Sequence, residues 1–119
     1  MVRQARYDEP RARALVPLLR AITHEMQERE QEIDRLEQRL LALRRQESSR
    51  NDGPAALLVQ AQLATQRAER RRSQKELDAL GCVLDEDHAL RVLIPGTDGK
   101  FVHGYAWSPF DGVVTVPTS

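Results

Sequence analysis

Apolar positions along the first two thirds of the chain recur at alternating steps of four and three. Leu15, Leu19, Ile22, Met26, Arg29, Ile33, Leu36, Leu40 and Leu43 form one such series, broken in its middle by an arginine. Ala56, Val59, Leu63, Gln66, Arg70, Ser73, Leu77 and Leu80 form a second. Both are heptad seams, which predict two long helices within residues 9–80. If the chain folds back near Asn51, facing levels pair where residue numbers sum to 99. Leu43 then meets Ala56, Leu40 meets Val59, Leu36 meets Leu63, Ile22 meets Leu77 and Leu19 meets Leu80. The expected architecture is a long antiparallel helical hairpin, a two-helix coiled coil.

Local signals set the ends. Asp8 is a good N-cap, with Glu9 and Pro10 in the first turn, where a carboxylate suits the helix dipole and a missing N–H costs least. Residues 2–7 read equally as a short strand or a frayed end. Pro17 predicts a kink or short break between Val16 and Leu18. Residues 47–53 (ESSRNDG) form a polar turn, Pro54 opens the second helix behind Asp52 or Gly53, and Gly81 closes it after Leu80.

After Gly81 the period changes to two. Ala89–Ile94, Phe101–Trp107 and Val113–Val116 read as strands, Cys82–Leu84 as a short first strand, and residues 95–99 and 108–112 as turns. The tail, residues 81–119, is therefore a small antiparallel β-meander. The alternation puts Phe101, His103, Tyr105 and Trp107 on one face. The chain is expected to be a single domain over residues 1–119, mainly α with a β tail, in the α+β class.

Charge refines this picture. Basic and acidic residues balance at 18 each, so no overall field favours nucleic acid or an anionic membrane. Residues 82–119 hold two basic and five acidic side chains, a mildly acidic tail. No apolar run is long enough to span a bilayer and the N-terminus lacks a leader, so the expectation is a soluble, cytoplasmic protein without membrane contact. One cysteine, Cys82, excludes an internal disulfide and reads as a small apolar residue. With 30% charged residues and five aromatics, a compact core is hard to build, and isolated helix pairs of this size are marginal. Self-association is the economical remedy.

Candidate sites follow. In the hairpin tip, Leu57, Ala61, Ala64 and Ala68 make a second seam beside the first, while Leu41 and Leu58 flank it. One partner helix is too narrow to cover them, and the meander lies too far away down a hairpin about 40 Å long. A homodimer with a four-helix tip, built on Leu41, Leu57, Leu58, Ala61 and Ala64, is expected. Arg29 and Arg70 share one level of the seam and would repel unless carboxylates or an anion intervene. A solvated, salt-bridged mid-section is the plain reading, and an anion site between helices the sharper one. Arg67, Arg70, Arg71, Arg72 and Lys75 could track phosphates, but no aromatic is interleaved and Glu69 interrupts the run, so a solvated face is favoured over nucleic-acid binding. Asp85-Glu86-Asp87-His88 lacks the glycine and spacing of a calcium loop and reads as a turn. His103, Tyr105 and Trp107 could floor a ligand pocket, though packing onto the helices is the commoner use of such a face. No nucleophile motif, phosphate-cradling loop or zinc signature occurs, so no catalytic residue, metal or cofactor is expected.

The order of parts also resembles a known family. Tyr7-Asp8-Glu9 leads into residues 12–20 (ARALVPLLR). Long charged helices follow, then Leu80-Gly81, then a tail with residues 98–102 (DGKFV) and Ala106-Trp107. This arrangement is similar to an uncharacterised bacterial family, the domain of unknown function two-two-zero-three. Its tail typically carries a Cys-Trp pair, then Gly-Glu, and closes with an aromatic-His pair. Here Ala106-Trp107 replaces Cys-Trp, Ser108-Pro109 stands in place of Gly-Glu, and residues 113–117 hold no histidine. A site built on those polar residues is not expected in this chain. The resemblance implies the architecture and a cytoplasmic location, and brings no established activity. The function expected from the residues is a non-enzymatic interaction or scaffold module that self-associates. The alternatives are nucleic-acid binding on the second helix, and ligand binding or catalysis at the meander.

Overall fold

The computed structural model describes residues 5–46, 52–85 and 90–116. The chain is mainly helical, with a long helix pair followed by a four-stranded antiparallel sheet. Its elements are α1 (Glu9–Ala14), α2 (Val16–Gln46), α3 (Pro54–Ala79), β1 (Val83–Leu84), β2 (Val92–Ile94), a 3-10 turn (Phe101–His103), β3 (Tyr105–Ser108) and β4 (Gly112–Thr115). Residues 2–4, most of the 47–53 turn, most of the acidic turn at 85–88 and the expected strand start at Ala89 lie outside the described residues. Two compact units emerge, one of residues 25–73 and one of residues 1–24 with 74–119.

The Arg11 N–H donates to Asp8 Oδ1 at 2.9 Å, the expected cap on α1. The break falls at Leu15, ahead of the position expected from Pro17. The Leu15 N–H donates to the Ala12 carbonyl at 3.2 Å and closes α1. The chain then restarts with Pro17 as the second residue of α2, in the first turn, where no proline N–H is required. Ending one helix and opening another avoids the clash that a mid-helix proline would cause. Pro54 opens α3, and the Leu57 N–H donates to the Gly53 carbonyl at 3.0 Å. At the other end, Gly81 takes φ 76°, the Cys82 N–H reaches the Leu77 carbonyl and the Gly81 N–H reaches that of Asp78. This Schellman closure is the left-handed stop expected there.

In the unit of residues 25–73, the seam buries Met26, Ile33, Leu36, Ala56, Val59 and Leu63, and Leu40 and Leu43 pack against it. The polar level resolves as ion pairs. Arg29 donates through Nη1 to Gln66 Oε1 at 2.8 Å and lies near the carboxylates of Glu25 and Glu28. Arg70 turns to Glu30 at 2.7 Å. Each guanidinium thus has carboxylate neighbours of its own, in keeping with a salt-bridged mid-section.

In the other unit, Ala12, Leu19, Ile22, Leu77, Cys82, Val92, Ile94, Ala106 and Trp107 are buried. The strands pair in sequence order, with Val92 opposite Trp107, Ile94 opposite Tyr105, and Trp107 opposite Val113. Two expected strands are corrected. The first begins at Val92, since Leu90 sits in a turn at φ 64°. The second begins at Tyr105, because Phe101–His103 turns as 3-10 helix. The cause is Gly104, where a Cβ would lie 1.9 Å from the Ile94 carbonyl oxygen. The backbones touch there, so extended alternation starts only after the glycine. Tyr7 ties the N-terminal segment down by donating its hydroxyl to the Leu80 carbonyl at 2.7 Å.

Candidate functional site

Among the described residues, a concave surface lies on one side of the helix pair in the unit of residues 25–73. It is a groove of about 600 Å³ lined by Glu37, Leu40, Leu41, Arg44, Gln60, Leu63 and Arg67. Helical spacing builds it. Glu37, Leu41 and Arg44 stand at i, i+4 and i+7 on α2, Gln60 and Arg67 at i and i+7 on α3, and Leu40 and Leu63 rise from the seam between them. Its rims carry both signs. Arg67 pairs with Glu37 at 3.1 Å, and Arg44 with Asp52 at 2.9 Å. Gln60 donates a further hydrogen bond to Asp52. The Arg44 hydrogen bond holds the Asp52 carboxyl below the ordinary aspartate range.

Beside the groove, large apolar side chains face water. Leu41 is 47% exposed, Leu57 56% and Leu58 61%, and Ala61 and Ala64 are exposed too. The seam under them is already filled, so they do not serve the fold of this unit. Leu41 lines the groove itself; Leu58, one residue and 100° from Leu57, faces another direction on α3. Leu40 and Leu63 were legible in the sequence only as seam residues, and Glu37, Arg44 and Gln60 were not singled out. The 37–41–44 spacing was visible there, whereas a groove floor exists only once two helices lie side by side.

The basic residues are largely committed. Arg67 pairs with Glu37, Arg70 with Glu30 and Arg72 with Glu69 at 3.4 Å. Arg71 and Lys75 point into solvent.

The three tail residues differ in element and exposure. His103 is exposed in the 3-10 turn, its Nδ1 2.5 Å from Asp98 Oδ2. That hydrogen bond, helped by the Lys100 N–H, keeps the Asp98 carboxyl below its usual range. Tyr105 is half-buried on β3, and Trp107 is fully buried, with the Arg20 guanidinium 5.7 Å from its ring centroid. A smaller concavity of about 280 Å³ is lined by Arg91, Trp107, Ser108 and Asp111 among others, with Arg91 3.8 Å from Asp85. Phe110, at the β3–β4 turn, is 85% exposed, a feature the sequence reading passed over as part of a turn.

Burial pushes the Cys82 thiol up to about 12, so it stays protonated and non-nucleophilic near neutrality. Among the described residues no group of three or more His, Cys, Asp and Glu is placed to hold a metal ion. No described helix is long and apolar enough to cross a membrane.

Comparison with known proteins adds one relationship. The family model described as "Uncharacterized conserved protein (DUF2203)" matches residues 6–107. No curated protein and no solved structure matches the chain.

Proposed function

Since the chain belongs to the DUF2203 family of uncharacterized conserved proteins, a membership that carries no activity with it, we propose its role from its surface: a non-enzymatic interaction module that self-associates through the helix pair. The observation that supports this reading is the exposure of Leu41, Leu57 and Leu58 beside a seam already closed by Ile33, Leu36, Val59 and Leu63. Large aliphatic side chains left in water beside a groove are costly unless another surface covers them, because each buried leucine contributes about 1.5–3 kcal/mol. A second copy supplies apolar surface of the same kind, so the patch is self-complementary in chemistry.

Binding of nucleic acid by Arg67, Arg70, Arg71, Arg72 and Lys75 has weaker support. Three of those five cations already hold carboxylates, which lowers the phosphate-attracting potential of the helix. Light scattering of the purified chain at tens of micromolar tests the self-association. A dimer mass is expected; a monomer mass at that concentration removes the reading.

A further inference from the structure

The exposed residues around the groove form two stripes whose order decides how a second copy fits. On α2 the stripe runs Glu30, Asp34, Glu37, Leu41, Arg44, at steps of 4, 3, 4 and 3. On α3 it runs Leu57, Ala61, Ala64, Ala68, Arg71, at the same steps. Such steps keep a stripe on one helix face. Glu37, Leu41 and Arg44 line the groove, as do Gln60 and Arg67, each within one helical turn of Ala64. The two stripes are therefore the shoulders of one groove. Both lie wholly within residues 25–73.

Their chemistry is complementary in its order along the helices. Toward the α2–α3 connection the α2 stripe offers Leu41, and the α3 stripe offers Leu57 and Ala61. Farther from it, α2 is acidic at Asp34 and Glu30, and α3 is basic at Arg71. We propose, on the basis of the self-association argued above, that two copies pack groove side to groove side about a two-fold axis running along the helices. In that arrangement α2 of each copy lies on α3 of the other, with both connections at the same end. Leu41 then meets Leu57 and Ala61 of the second copy, and Arg71, its side chain leaning back toward the start of α3, reaches along the axis to Asp34 of the second copy as Arg67 reaches Glu37 within the chain, each contact occurring twice. Ala61, Ala64 and Ala68 let the helices approach closely. A two-fold axis perpendicular to the helices gives the opposite result. It sets Leu57 against Arg71, Leu41 against Asp34, and Glu37 against Glu37.

Asp34 and Arg71 are also the residues left free for such a contact. Both are exposed, and among the described residues neither forms an ion pair, whereas Glu37 and Glu30 are engaged by Arg67 and Arg70 within the chain. The face spans about 25 Å along the helices and about 20 Å across two of them.

Charge reversal in trans is the test. Asp34→Arg and Arg71→Glu chains are each prepared, one isotope-labelled, and their dimers measured alone and mixed by native mass spectrometry and sedimentation. Each variant alone places like charges together twice and is expected to dimerise about tenfold more weakly than the unaltered chain. Mixed, both contacts become opposite-charge pairs again, so the mixed dimer should dominate and regain the unaltered affinity. Added salt should erase most of the difference. If the unaltered chain is a dimer and the variants mix statistically, this orientation is overturned while self-association stands. If the unaltered chain is a monomer at tens of micromolar, both proposals fall and the groove is left to a different protein. Should either reversal lower helix content, Asp34→Asn and Arg71→Gln replace it. A double-mutant cycle on dimer affinity must then show coupling, and additivity overturns the orientation.

Discussion

Replacing Leu57 by alanine separates assembly from folding. Leu57 is 56% exposed, whereas Leu63, less than two turns along α3, is 2% exposed in the seam. Fully burying a leucine contributes about 1.5–3 kcal/mol, so the exposed half of Leu57 has about 1–1.5 kcal/mol still to gain on association. A two-fold dimer counts that side chain twice. Leu57→Ala should therefore weaken the dimer by about 2–3 kcal/mol, or roughly 30- to 150-fold in Kd. The same change should affect the fold far less, within about 1 kcal/mol, because alanine suits a helix and only a half-covered side chain is removed. Leu63→Ala should do the reverse at the level of the chain, costing about 2–5 kcal/mol in urea unfolding. Sedimentation velocity over a dilution series reads the first quantity, and circular dichroism in urea reads the second. A dimer whose Kd changes less than threefold on Leu57→Ala would show that this side chain stays in water, and the reasoning would be wrong.

Further outcomes follow from the unit that holds the sheet. Gly104→Ala drives a Cβ to within 1.9 Å of the Ile94 carbonyl oxygen, a backbone atom that cannot swing away; a loss of about 3 kcal/mol or more is expected in urea unfolding followed by Trp107 fluorescence. Asp98 has a depressed folded-state pKa, so its contribution is present above the unfolded value near 4 and fades as pH falls through the folded one. Asp98→Asn should accordingly lower the urea midpoint at pH 6 and converge with the unaltered chain toward pH 2; a constant offset across that range would contradict the linkage. Cys82, with its thiol pushed to about 12, should resist a thiol reagent at pH 8 in the folded chain and react at once in denaturant.

Much of the helical part was readable because a heptad reports burial directly. Leu19, Ile22, Ile33, Leu36, Val59, Leu63 and Leu77 are buried as their spacing required. The break at Leu15 was displaced because the pattern locates a proline, while the backbone chooses whether it sits inside a helix or at the start of the next one. The tail was harder. Phe101, His103, Tyr105 and Trp107 alternate as a strand would, yet only Tyr105 and Trp107 lie in one. What separates them is the approach of Gly104 to Ile94 and Gly96, a tertiary contact with no sequence period. The groove was half legible. Leu41 and the alanine stripe stood out as surplus apolar surface, but the ion pairs of Arg67 and Arg44 across the helices depend on a neighbour that no single-helix pattern contains.

The hydroxyl of Tyr7 bonding the end of α3 has a consequence for the order in which the protein is made. Residues 25–73 form a continuous stretch that can settle while the rest is still being translated. The other unit joins segments from either side of that stretch, linking Tyr7 to Leu80 across 73 positions and needing β4 to complete its sheet. It must wait until residues through β4 have left the ribosome. Burial of Trp107, the only tryptophan of these 119 residues, therefore marks closure of this later unit rather than of the helix pair.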